Sequence, residues 1–130
     1  MTEYDLSVLL KNTLESIAYN DKAVKVKLDF PINLSSCPCI TYNQIGQTTN
    51  KLNTEGEKTR TFSYSIDIWT KDAVSRSQIG DQVDSKLAQL KFRKTQGTDS
   101  YEQDTKIFRR YNVFTCEVDL KKGIIYLGGL

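Results

Sequence analysis

The clearest alternation of apolar and polar positions lies between Arg60 and Asp72. There Phe62, Tyr64, Ile66 and Ile68 take every second place, and Thr61, Ser63, Ser65 and Asp67 fill the places between. A period of two predicts a strand with one buried face. Each such side chain contributes about 1.5–3 kcal/mol when buried. An amphipathic stretch follows at once, which predicts a helix folded back on the sheet that this strand organises.

Before that strand, Leu6, Leu9, Leu10, Leu14 and Ile17 recur at spacings of three and four. The stripe predicts a helix over 2–19, with Thr2 as its cap and Asn20-Asp21 as its stop. Val24, Val26, Leu28 and Phe30 then alternate with Lys25, Lys27 and Asp29. This reads as an edge strand over 23–30, guarded by two lysines and ended by Pro31. Residues 39–42 form a short third strand. After the central strand, Asp72 or Ser75 caps a second helix carrying Ile79, Val83, Leu87 and Leu90 on one stripe. Gly80 inside it costs about 1 kcal/mol relative to alanine and marks a close approach to the sheet. Residues 92–104 read as a turn-rich bridge. Residues 107–120 form a long strand whose two halves alternate in opposite phase, which predicts a β-bulge or bend near Asn112. Residues 124–127 supply a last short strand.

Asn43 to Thr59 holds only Ile45 and Leu52 among polar residues. It reads as a long flexible loop, and loops of that length in compact domains are usually functional or disordered. The chain of 130 residues fits one domain. The fold expected is α+β: a mostly antiparallel sheet with two helices packed on one face.

Composition narrows the function by exclusion. Net charge is +2, too small to argue by itself for a nucleic-acid or membrane partner. No run approaches the roughly 20 apolar residues that span a bilayer, and the acidic start MTEYD does not read as an export signal. There is no histidine, so the commonest general base is missing. No phosphate-binding glycine loop or nucleophile elbow occurs. The three cysteines, Cys37, Cys39 and Cys116, read as reduced thiols and not as a zinc site. Asp99, Glu102 and Asp104 read as a solvated turn, with a divalent cation as the sharper alternative. The expectation is a protein that is not an enzyme and has no cofactor, metal or catalytic residue.

Two features carry candidate binding chemistry. Lys86, Lys91, Arg93 and Lys94 end the second helix, and Lys106, Arg109 and Arg110 open the late strand. Such residues neutralise a helix dipole and dress a solvated edge. Lys91, Arg93, Lys94, Arg109 and Arg110 could also form one basic surface for an acidic partner or passing DNA. Trp69 stands on the otherwise polar face of the central strand. It is either core packing under a second layer or an anchor for a partner.

Pro38-Cys39-Ile40-Thr41-Tyr42, a polar loop, and Tyr64-Ser65-Ile66-Asp67-Ile68-Trp69-Thr70-Lys71-Asp72 come in that order. The helix Ser75 to Leu90, Phe92-Arg93, the Asp99 to Asp104 segment with Tyr101, and a strand with Phe108-Arg109-Arg110 and Phe114 follow. This layout resembles the tail completion, or tail terminator, family of bacteriophages with long non-contractile tails. The resemblance implies a structural virion protein. It would cap the head-proximal end of the tail tube as a hexameric ring and join it to the head connector or stopper protein. Its place would be the virion's head–tail interface, reached from the host cytoplasm during assembly. A closed ring needs two different patches on each subunit. The candidates are the edge strand with Lys25 and Lys27, the loop residues Gln47, Thr48, Asn50, Lys51 and Asn53, and Trp69. The alternatives are a head–tail connector adaptor or other tail-tube component, and a basic nucleic-acid-binding module.

Overall fold

The computed structural model describes residues 3–28, 37–52, 58–119 and 122–126. The fold is α+β: two helices and a mostly antiparallel mixed sheet, with a small separate hairpin. Helix α1 runs Glu3–Glu15 and α2 runs Ala73–Gln89. The strands are β1 (Ala18–Tyr19), β2 (Lys22–Ala23), β3 (Lys25–Leu28), β4 (Cys39–Leu52), β5 (Lys58–Thr70), β6 (Arg93–Glu102), β7 (Ile107–Asp119) and β8 (Ile124–Tyr126). The main sheet has the order β3-β4-β5-β7-β6. Its β3–β4 pair is parallel and the other pairs are antiparallel. The short β8 pairs with β7 beyond the end of β6.

The stretch with the clearest alternation is the centre of this sheet. Phe62, Tyr64, Ile66 and Ile68 are buried on one face of β5, against Leu6, Leu10, Leu14 and Ile17 and against Ile79, Val83 and Leu87 of α2. Both helices therefore cover the same face, and one apolar cluster joins them to it. Asp72 caps α2, its Oδ1 accepting from the Ser75 backbone N–H at 2.7 Å. The helix ends in a left-handed turn at Lys91, φ 69°. Phe92 N–H donates to Leu87 O and Lys91 N–H to Ala88 O, each at 2.9 Å. That hydrogen-bond pair, with Phe92 packed beside Leu87 in the core, is a Schellman ending.

Four expectations are corrected. Helix α1 ends at Glu15 instead of near Tyr19: Ala18–Tyr19 is β1, and Asn20 and Asp21, at φ 52° and 62°, make the two-residue turn of the β1–β2 hairpin instead of stopping a helix. Most of the expected 43–59 loop is strand: β4 continues to Leu52, and β5 begins at Lys58. Residues 43–59 hold only Ile45 and Leu52 as apolar residues, so no alternation marks them as strand. Residues 92–104 hold the ten-residue strand β6, which is exposed throughout. Finally, β7 has no bulge near Asn112, since it stays in register with β5 from Phe108 to Asp119. Its change of phase arises because both faces hold apolar groups. Phe114, Cys116 and Val118 join the main cluster, while Ile107 meets Cys39 and Trp69 on the other face. The irregularity next to it is in β6, between Lys94 and Gln96.

Candidate functional site

The sheet presents three surfaces that the helices leave free: the margin at β3, the margin at β6, and the face opposite the helices. Cross-strand partners share a face, so register tells which residues stand where. Lys25 pairs with Cys39, Cys39 with Trp69, and Trp69 with Arg109. Lys25 and Lys27 therefore stand exposed on the open face, on the outermost described strand of that side. Val26 and Leu28 point to the helix side, and Leu28 is 63% exposed.

Trp69 is only 4% exposed, in a small cluster with Cys39 and Ile107 against which Cys37 packs. Its Nε1 donates to Thr41 Oγ1 at 2.9 Å. The Arg109 guanidinium lies 4.7 Å from its ring centroid and 5.5 Å from that of Tyr111. Arg109 also donates to Asp67 Oδ2 at 2.8 Å. Burial pushes the Asp67 carboxyl above its usual range, and the bond to Arg109 opposes that shift. Trp69 is thus nearly buried among side chains of its own chain. Asp67, Arg109 and Tyr111 form one wall of a depression of about 180 Å³ that Thr41, Tyr42, Asn43, Ile45 and Ser65 complete.

The structure divides the expected basic surface. Arg110 points under α2, where Nε and the terminal nitrogen bind Asp99 at 2.8 and 3.2 Å. Arg76 reaches the same carboxylate at 3.5 Å, with its guanidinium over the Phe108 ring. The Arg110 bonds hold the Asp99 carboxyl below its ordinary range. Lys94 meets Asp84 of α2 at 3.4 Å. Lys91 sits at the helix end, and Arg93 begins β6, both exposed. Arg109 faces the other way. Alternation along β7 separates consecutive arginines, and their acids claim both.

Gln47 lies on β4, where its Oε1 accepts from Arg60 at 3.1 Å. Thr48, Asn50 and Lys51 belong to the same strand, and their side chains lie outside the described residues. Asn53 lies wholly outside them. The acidic group does not converge. Asp99 pairs with Arg110 toward α2, whereas Glu102 pairs with Ile107, which packs on the open face. Among the described residues no group of three potential metal ligands occurs. Burial raises the Cys39 and Cys116 thiols to about 12, and Cys37 is raised as well. No described helix is long and apolar enough to cross a membrane.

Sequence reasoning missed the ten-residue margin β6 and the Arg76–Asp99–Arg110 cluster. Thr95, Thr98 and Tyr101 favour strands, but a strand wet on both faces shows no apolar alternation. Comparison of the sequence with protein-family models and with curated proteins gives no match.

Proposed function

We propose that this chain is a structural subunit of a phage tail. In this reading it is a terminator that closes the head-proximal end of the tail tube as a ring and docks it to the head connector. The observation that carries the reading is the pair of unlike margins at which the described sheet ends. One side ends in the short strand β3 with Lys25 and Lys27, and the other in the long strand β6. A ring built by rotation needs two such different patches on each subunit. The ordered likeness of Pro38–Tyr42 and Tyr64–Asp72 to the tail terminator family supplies the setting. The long β4–β5 hairpin, paired out to Leu52 and Lys58, adds an arm suited to reaching a stacked ring. The connector-adaptor reading uses the same margins.

Electron microscopy of particles made without this protein separates the two. The terminator reading expects overlong tails unattached to heads. Tails of normal length beside leaking heads would replace it with the connector adaptor, and normal joined particles would overturn both. The nucleic-acid-binding alternative is weaker, because Arg109 and Arg110 lie on opposite faces and each binds an aspartate.

A further inference from the structure

We propose that one copy of the chain adds its β6 to the outer side of β3 of a second copy, antiparallel, so that one sheet continues from subunit to subunit. As the ring contact of the function proposed above, this inference rests on that reading, but its test does not depend on tails.

Direction comes from the topology. With neighbouring subunits related head to tail and their sheets continuous, β6 runs opposite to β3, because β3 and β4 run together and three antiparallel steps separate β4 from β6. The backbone of β6 offers ten residues with no described strand on the outer side and no proline among them. Such an edge pairs readily with another chain through main-chain hydrogen bonds.

The side chains match on both faces. On the helix side, β6 carries Tyr101, 46% exposed, stacked on Phe108 at 4.6 Å between centroids. The β3 margin answers on the same side with Val26 and Leu28. Beside Leu28 lies a groove of about 370 Å³ lined by Val8, Lys11, Tyr42 and Tyr64. Leu28, Tyr101 and Val8 are three of the five large apolar side chains exposed among the described residues. Two of these three flank the β3 margin and the third is on β6. On the open face, Lys25 and Lys27 meet Glu102. Two registers, with Glu102 opposite Lys25 or opposite Lys27, keep both matches, apolar on apolar and lysine on carboxylate, whereas a shift by one residue loses both. Two β3 margins together would oppose lysine to lysine, which counts against a two-fold dimer through β3.

The test uses the purified chain carrying Lys27→Cys and Glu102→Cys together with Cys37→Ser, treated with a short bismaleimide. Head-to-tail pairing gives a ladder of crosslinked dimers, trimers and higher species. Either single cysteine variant alone stays monomeric, and an equimolar mixture of the two stops at dimer. A second measurement, sedimentation velocity at high protein concentration, uses the chain without these cysteine substitutions. Lys25→Glu with Lys27→Glu abolishes self-association there, and Glu102→Lys added to that pair restores it by reversing the charge on both sides of the contact. The unchanged far-ultraviolet circular dichroism of each variant controls for folding. Absence of a ladder at high protein concentration, or equal dimer formation by each single variant, overturns the proposal. A ladder together with normal joined particles in the deletion experiment would retain the interface and remove the tail function. Overlong tails without a ladder would do the reverse.

Discussion

Arg109 and Arg110 are consecutive in the chain, yet their guanidinium groups lie on opposite sides of the sheet. Arg109 rests over Trp69 and binds Asp67, while Arg110 lies under α2 and grips Asp99 with two nitrogens. One strand thus delivers two cations to two environments, and their removal has different consequences.

The chain has a single tryptophan, which makes the first consequence visible. Arg109→Ala removes a cation from the Trp69 ring and the partner from a nearly buried carboxylate. It should shift the fluorescence emission and cost about 2 kcal/mol in urea denaturation. Arg110→Ala should leave the emission maximum unchanged. A shift of equal size in both variants would contradict the opposite placement.

Gly80 and Arg110 should be energetically coupled. A Cβ on Gly80 would run into the Arg110 guanidinium. In an Arg110→Ala chain, Gly80→Ala should stabilise by about 1 kcal/mol from helix propensity alone. In the chain with Arg110 present the gain should vanish or reverse, because the guanidinium must leave Asp99. A double-mutant cycle measures the difference.

Lys91 holds a left-handed conformation at the end of α2. Glycine adopts it without the steric cost that a Cβ brings. Lys91→Gly should stabilise the fold by about 1 kcal/mol, read as a higher urea midpoint with an unchanged slope.

Asp99 sets a pH dependence. Arg110 lowers its pKa in the folded chain, so the unfolded chain binds more protons between the folded value and the ordinary value near 3.9. Stability from this group is therefore complete above about pH 4 and is lost as pH falls through the folded value. The carboxylate is two-fifths exposed, so solvent screening keeps the contribution small. Asp99→Asn should flatten the acid limb of the stability curve without altering its shape near neutrality. Equilibrium urea titrations across that range check this.

The hairpin arm should be separable from the core. Replacing residues 50–59 by Asn-Gly joins Thr49 to Arg60, which already face each other across the hairpin. The core residues Phe62 to Ile68 keep both neighbouring strands. The shortened chain should fold, with near-native circular dichroism, and fail to join tails to heads. Unimpaired joining would remove the arm from the proposed assembly.

Where a long element buries one regular face in the core, the pattern along the chain was enough to place it. Leu6, Leu10 and Leu14 announce α1 by spacing, Phe62 to Ile68 announce β5 by alternation, and Asp72 lies at the start of α2 as a cap should. Burial imposes those periods on residue choice. All of β6 is exposed on both faces and the distal part of β4 has almost no apolar residues, so neither shows the alternation that marks a strand, and their strands are seen only in the backbone pairing. The same limit applies to charge. A sequence shows Arg109 beside Arg110 and suggests one basic surface, but side-chain alternation and the positions of Asp67 and Asp99, which are remote along the chain, divide it. Local pattern determined the helices, the central strand and the fold class. Only the tertiary structure decided where the sheet ends and which charges are already paired, because both depend on residues brought together from far apart in the chain.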